Sequence, residues 1–298
     1  MDAPFQKQIR SAGLIGKHQS AEVAASMPEL ASYLQQRGIR VLVEADSAAS
    51  AGISGFERAD YGALGTEADV AIVLGGDGTM LFAARRLAAH GVPLVGVNLG
   101  RLGFMTDIAR EAMQAGMAQL LEGRFASEAR ILLDAEILRD GQCVCNNLAL
   151  NDVVVNKGDQ GRMIEMQVAV DGEFLYVLRA DGMIVATPTG STAYALSANG
   201  PILHPGVAGI AIVPLCPHAL SNRPISIGDD SRVEITLLSP HDGRVHFDGQ
   251  SRFDAQAGDC VRVTRSRHQV TLLHPPGYSY FAMLREKLRW SETPRTTY

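Results

Sequence analysis

Through roughly the first 125 residues, short apolar runs alternate with amphipathic stretches. Leu14-Ile15-Gly16, Arg40-Val41-Leu42-Val43-Glu44 and Ala71-Ile72-Val73-Leu74 read as buried strands. Between them, Ala21 to Arg37 carries Val23, Met27, Leu30 and Leu34 at spacings of three and four. That spacing puts one apolar stripe on a helix, which Gly38 ends. Thr79 to His90 before Gly91 and Glu111 to Leu121 before Gly123 repeat the pattern, and Pro93 to Asn98 reads as another buried strand. Strands and helices alternating in this way predict an α/β domain over residues 1–125, with a Rossmann-like parallel sheet.

From about residue 126 the helical period nearly vanishes. Runs rich in Val, Ile and Leu are punctuated by the turn signals Asp140-Gly141, Asp171-Gly172, Asp242-Gly243 and Gly258-Asp259. Met163 to Val170, Asp171-Gly172 and Phe174 to Val177 form the clearest hairpin, so residues 126–275 are expected to be a β-rich, sandwich-like domain. The basic residues Arg262, Arg265, Arg267 and His268 read as a solvated strand edge that discourages pairing. Tyr280 to Trp290 returns to helical spacing through Phe281, Leu284 and Leu288, with Trp290 as anchor. The segment 276–298 is expected to pack back on the first domain.

Composition narrows the function classes. The chain has 298 residues, 46% of them hydrophobic and 20% charged, in the range of an ordinary folded protein. A net charge of −5 leaves no electrostatic footprint for nucleic acid or an anionic membrane surface. Apolar stretches break within roughly ten residues, short of a membrane span, and no apolar signal core follows MDAPFQKQIR, which places the protein in the cytosol. The four cysteines, Cys143, Cys145, Cys216 and Cys260, form no CxxC pair and read as buried or idle thiols. His204, His218 and His274 each stand beside a proline with no nucleophile elbow near, and read as structural or surface residues.

The sharpest local signal is Gly75-Gly76-Asp77-Gly78-Thr79, which leaves the strand Ala71 to Leu74 and opens a helix. At the carboxyl end of a parallel strand, glycines let backbone N–H groups approach phosphates, and the helix N-terminus adds partial positive charge. A turn kept only for strand–helix packing, with Asp77 or Thr79 as cap, would hardly need three glycines in four positions. The dinucleotide fingerprint fails because Leu81 stands where its third glycine belongs, and a Walker A loop fails at Ser11 and His18. A carboxylate inside a phosphate turn is unfavourable unless it accepts a proton, orients a hydroxyl or helps hold a metal, so Asp77 points to phosphoryl transfer.

A second dense block runs from Arg179-Ala180-Asp181 to Thr187-Pro188-Thr189-Gly190-Ser191-Thr192-Ala193-Tyr194-Ala195-Leu196-Ser197. Its hydroxyls suit a polar ligand such as a base or ribose, and equally suit an ST-rich turn capping a helix. Asn151-Asp152 interrupts the apolar flanks Leu148 to Leu150 and Val153 to Val155. Such a pair bonds locally or addresses a ligand.

Together these residues resemble the NAD kinase family. The carriers are the GGDGT turn, the run NLGRLGFMTD from Asn98 to Asp107, Asn151-Asp152, the stretch ADGMIVATPTGSTAYALSANGP from Ala180 to Pro201, and Tyr278-Ser279-Tyr280-Phe281, all in family order. The resemblance implies transfer of the ATP γ-phosphoryl group to the 2′-hydroxyl of the adenosine ribose of NAD, with Mg²⁺ brought by the nucleotide phosphates. It implies Asp77 as proton acceptor with Gly78 beside it, and Gly75, Gly76 and Thr79 toward the ATP phosphates. It implies Asn151 and Asp152 at the adenosine, and Thr192, Ala193, Tyr194, Ala195, Leu196 and Ser197 around the adenine. It implies Arg162, Arg179, Asp181 and Gln250 as further NAD contacts, with Asp181 reaching a neighbouring subunit of a homodimer or homotetramer. Two other readings stay open: a GGDGT-type kinase of a lipid or small alcohol, and a non-catalytic NAD-responsive binding protein. Asn151-Asp152 and the TPTGSTAY block argue against the first, and the intact Asp77 against the second.

Overall fold

The computed structural model describes residues 3–290 apart from 6, 101–102, 159–161, 220 and 239–242. Arg101 and Leu102 of the NLGRLGFMTD run and Asp242 of the Asp242-Gly243 signal therefore lie outside the described residues. The chain divides into two compact units. One comprises the residues up to Ala129 with the described residues from Val270 onward, and the other Arg130–Gln269.

In the first unit five parallel strands lie in the order Glu57–Ala59, Arg40–Glu44, Ser11–Gly16, Val70–Leu74, Leu94–Asn98. Numbered along the chain this is 3-2-1-4-5, the doubly wound Rossmann order. The strand Val70–Leu74 is buried throughout, as a strand covered on both faces must be. The helix Ala21–Gln35 starts at Ser20, whose hydroxyl accepts from the Val23 N–H at 3.3 Å, and buries Val23, Met27, Leu30 and Leu34. Three short elements carried no readable period: the helices Ala45–Ser50 and Tyr61–Glu67 and the strand Glu57–Ala59. Seven residues or fewer do not repeat a 3.6-residue pattern often enough to declare it.

The last helix, Tyr280–Leu288, differs from expectation in its orientation. Tyr280, Met283 and Leu284 are buried, whereas Phe281 and Trp290 are each 60% exposed. The buried stripe is thus rotated by about one residue, and Trp290 does not anchor the helix.

The second unit is antiparallel. One sheet runs Ile225–Gly228, Gly209–Leu215, Gly182–Ala186, Asp152–Lys157, Gly243–Phe247, Ser251–Ala255. Facing it, the hairpin Ile164–Val170 and Glu173–Ala180 pairs with Val233–Leu237, which pairs with the start of Cys260–His274. Val153, Val155, Val185 and Val245 of one sheet share a core with Met166, Val168, Ile235 and Val261 of the other, which makes a sandwich. Asp171 and Gly172 close the hairpin with φ of 53° and 84°, the left-handed pair that a tight turn between twisted strands requires.

One expectation is corrected in this unit. Arg262 and Arg265 do not guard a free edge, because Cys260–His274 is paired and acidic groups on neighbouring elements take both guanidinium groups. Arg262 meets Glu234 at 3.2 Å and Glu136 at 3.4 Å, and Arg265 meets Asp229 at 2.7 Å. The cysteines are free thiols, but Cys143 and Cys216 are exposed rather than buried.

Candidate active site

In the first unit, the switch point of the doubly wound sheet lies between Ser11–Gly16 and Val70–Leu74, where strand order reverses. Ligands of such sheets bind outside the carboxyl ends of the strands at this point. A cleft of about 620 Å³ opens there, large enough for a nucleotide. Its walls come from Gly16-Lys17-His18, Glu44 to Ser47, the turn residues Gly76, Gly78 and Thr79, and Tyr61, Phe82 and Arg86. Lys17 and Arg86 offer positive charge, and Tyr61 and Phe82 meet edge to face at 5.9 Å. Burial, followed by the charge of Glu44, pushes the Tyr61 phenol above its ordinary value, so it is a donor at neutral pH. None of Lys17, Tyr61, Phe82 or Arg86 was legible in sequence, because only the strand order brings their elements together.

The turn itself is tightly built. Gly75 N donates to Val97 O at 2.9 Å, and Gly76 is the N-cap of the helix Asp77–Leu87. A Cβ at Gly75 would stand 2.5 Å from Thr79 Oγ1. At Gly76 a Cβ would meet nothing within 4 Å, so packing does not demand this glycine. Its effect is to leave the backbone bare toward the cleft. Asp77 is the first helical residue rather than the cap.

The Asp77 carboxylate is held by the loop that follows Leu94–Asn98. Phe104 N donates to Oδ2 at 2.8 Å and Met105 N to Oδ1 at 3.0 Å. Asn98 steadies that loop: its amide donates to Thr106 Oγ1 at 2.9 Å and its Oδ1 accepts from Gly100 N at 2.7 Å. Two N–H donors fix the carboxylate's direction and leave further lone pairs to accept a proton. A Cβ on Gly103 would overlap Asp77 Oδ1. Gly103→Ala is therefore expected to displace the carboxylate and lower kcat by ~10-fold or more while the protein still folds, measured by steady-state kinetics beside a melting curve.

In the second unit, Asp152, Val154 and Asn156 alternate with Val153 and Val155 along one strand, so the first set faces away from the sandwich core. On that face a smaller cleft of about 310 Å³ is lined by Asn151, Asp152, Asn156, Ala193, Tyr194 and His246, together with Asp248 and Gly249. Asp152 is 4% exposed, and burial, reinforced by the charge of Asp248, pushes its carboxyl up to about 7. Ala195 is the fully buried residue of the short helix Tyr194–Ser197.

The threonine and serine hydroxyls of the TPTGSTAY block are engaged by protein groups, within the loop and beyond it. Thr187 Oγ1 donates to Leu150 O at 2.5 Å, Ser191 Oγ to Pro188 O at 2.6 Å and Thr192 Oγ1 to Thr189 O at 3.1 Å, while Thr189 Oγ1 accepts from Arg130 at 3.2 Å. A Cβ at Gly190 would overlap the Asn151 carbonyl. The block thus builds the platform on which Asn151 rests. Gly190→Ala is expected to cost about 1–3 kcal/mol of stability, read from denaturant unfolding.

The remaining sequence candidates do not line this cleft. Arg179 is exposed on Glu173–Ala180, Arg162 is exposed beside the undescribed residues 159–161, and Gln250 is exposed on the turn after Phe247. Asp181 is paired within its own unit, with Lys157 Nζ at 2.8 Å.

Models of the ATP-NAD kinase N-terminal and C-terminal domains match residues 12–125 and 150–274. A NAD kinase of Aromatoleum aromaticum is 62% identical over 292 residues, covering 98% of this chain and 97% of the relative. The chain belongs to the NAD kinase family. A second NAD kinase, from Azoarcus sp. strain BH72, is 62% identical and covers 96% and 98% of the two chains. Two solved structures share the fold at 24% identity. Yeast NADH kinase complexed with NADH superposes with a TM-score of 0.90, covering 98% of this chain and 91% of its own. An NAD kinase from Archaeoglobus fulgidus in complex with ATP gives 0.73, with coverage of 94% and 98%.

One further group in this NAD kinase family member lies behind the Asp77 loop. His274 is 1% exposed; its Nδ1 meets Asp107 at 2.5 Å and its Nε2 meets Glu128 at 3.0 Å, while Tyr278 stacks on the ring at 3.8 Å. Sequence placed this histidine only as structural or surface; it is buried and structural. Burial alone would lower its pKa, but the hydrogen bonds of Asp107 and Glu128 outweigh burial and raise it above 6.5. The bridge then stabilises the fold fully below pH 6.5, and the contribution is lost as pH rises through the raised folded value. His274→Gln should therefore lower Tm most near pH 6 and progressively less toward pH 9, as read by calorimetry across that range.

Proposed function

We propose that the protein transfers the γ-phosphoryl group of ATP to the 2′-hydroxyl of the adenosine ribose of NAD, forming NADP and ADP. The observation that carries this reading is the Asp77 carboxylate, held by two backbone N–H groups on the first turn of a helix beside a nucleotide-sized cleft. Phosphoryl transfer asks the protein for alignment, charge neutralisation and one group to orient the attacking hydroxyl. In this reading the bare turn Gly75, Gly76, Gly78 and Thr79 takes the ATP phosphates, with Lys17 and Arg86 offsetting their charge. Asp77 accepts the proton of the 2′-hydroxyl as its oxygen bonds to the γ-phosphorus, and the bond to the β,γ-bridging oxygen breaks to release ADP.

Asn151 and Asp152, with Ala193 and Tyr194, take the adenosine part of NAD. Among the described residues no group of three or more His, Cys, Asp or Glu side chains is gathered to hold a metal. Mg²⁺ would be brought by the nucleotide phosphates and would supply charge neutralisation for the transferred group. Among the described residues no helix is long and apolar enough to cross a membrane, and we place the reaction in the cytosol.

The test is turnover of purified protein with NAD, ATP and Mg²⁺, with phosphorus NMR on the product. A 2′-phosphate supports the reading; a 3′-phosphate, or kcat/KM for a lipid alcohol equal to that for NAD, overturns it. We also propose a homodimer or homotetramer in which Asp181 exchanges its Lys157 contact for a ligand bound in a neighbouring subunit. Activity per chain should then fall on dilution below the association constant, and light scattering showing a fully active monomer would remove the idea.

A further inference from the structure

The three-residue turn Asp248-Gly249-Gln250 joining Gly243–Phe247 to Ser251–Ala255 holds Asp248 and Gly249 at φ of 53° and 64°, both left-handed. Asn-Gly would close such a turn equally well, so the turn alone does not call for a carboxylate. The carboxylate instead reaches across to the segment bearing Asn151 and Asp152. Oδ2 accepts from Leu150 N at 3.0 Å, and Oδ1 accepts from Asn151 N at 2.7 Å and Asp152 N at 3.1 Å. Three consecutive N–H groups converging on one anion form a backbone nest.

The opposite side of the segment is equally tied. Leu150 O accepts from Thr187 Oγ1, Asn151 O from Thr187 N at 2.9 Å, and Asp152 O from Asp248 N at 3.0 Å. All six backbone polar groups of these residues are thereby engaged, and the backbone cannot turn without breaking several bonds together.

We propose that Asp248 is a positioning residue for NAD recognition: its carboxylate anchors the backbone of Leu150, Asn151 and Asp152 so that the two polar side chains meet the cleft at a fixed angle. The inference rests on the reading that this pair takes the adenosine part of NAD. A second effect follows from the same carboxylate. Its charge bears on the buried carboxyl of Asp152 and keeps that group protonated to higher pH. The other titratable groups lining the cleft are His246 and Tyr194. Burial, then the charges of Arg244 and Arg252, hold His246 below 6.5.

The experiment is calorimetric titration of NAD into the full chain without ATP, from pH 5.5 to 8.5, with separate titrations of ATP and melting curves. Asp248→Asn turns an amide against an N–H donor and removes the charge. NAD Kd should weaken ~10-fold or more, the midpoint of its pH dependence should fall by about one unit or more, and ATP Kd should stay within about twofold. Unchanged NAD affinity and midpoint, or equal weakening of NAD and ATP with a lowered Tm, overturns the proposal. Asp248→Glu, which keeps the charge but shifts it by one methylene, should weaken NAD while the midpoint stays; affinity equal to that of the parent protein overturns it too. If Asp152→Ala binds NAD like the parent, the assignment of the cleft fails and takes the proposal with it. If Asp152→Ala loses NAD while Asp248→Asn does not, the proposal alone fails.

Discussion

Asp77→Asn is expected to reduce kcat by ~10² to 10⁴, the usual worth of general-base assistance. The substitution does more than remove a proton acceptor. Phe104 N and Met105 N donate to different oxygens of the carboxylate, so whichever position the new NH₂ group occupies, donor faces donor. One hydrogen bond is lost and one buried N–H loses its partner, at about 1–3 kcal/mol. A small fall in Tm should therefore accompany the loss of turnover, while ATP and NAD still bind. Calorimetric titration beside single-turnover kinetics separates the two effects. Turnover equal to that of the parent protein would make Asp77 a structural residue and remove the mechanism.

Asp152→Asn should have the second largest effect, and it should act in opposite directions on activity and stability. The Asp152 carboxyl titrates at about 7 against an ordinary value of 3.8, so between these pH values the folded protein holds a proton that the unfolded chain releases. Stability therefore falls as pH rises from about 4 to 7, by on the order of 4 kcal/mol if the whole shift is realised. Replacing the acid by a neutral amide removes that penalty, and Tm should rise at pH 8 while changing little at pH 5. A group poised for a ligand hydroxyl is lost at the same time. kcat/KM for NAD is expected to fall by ~10²-fold, with ATP affinity unchanged. Thermal unfolding at both pH values and a substrate panel check the two halves. A fall in Tm at pH 8 would mean that Asp152 stabilises the fold rather than burdening it.

The buried charge at Asp152 fits a general pattern. Segments that carry chemistry tolerate local cost when the surrounding fold over-determines them. Here the restraint is visible in the Asp248 nest and the Thr187 contacts on one segment, and in the Asn98 and His274 contacts around the Asp77 loop.

Sequence by itself determined the α/β character of the first unit, because Val23, Met27, Leu30 and Leu34 recur at helical spacing beside wholly apolar strands, and hydrophobic period is a local property. It marked the Gly75–Thr79 turn as the candidate for phosphate binding, because three glycines around Asp77 leave a strand together, and the resemblance carried by GGDGT, Asn151-Asp152 and TPTGSTAY named the family. Tertiary structure alone decided what holds each functional group. Asp77 is gripped by backbone N–H groups of Phe104 and Met105, and a backbone donor carries no residue signature. Asp152 owes its altered acidity first to burial and then to the charge of Asp248, nearly a hundred positions along the chain. The hydroxyls that composition offered to a ligand are consumed inside the protein, Ser191 and Thr192 by carbonyls of their own loop and Thr187 by that of Leu150, since a buried hydroxyl bonds whatever carbonyl the fold brings within reach. Lys17, Tyr61, Phe82 and Arg86 meet around one cleft only because the strand order 3-2-1-4-5 sets their elements side by side, and strand order is a pairing between distant segments that no local pattern encodes.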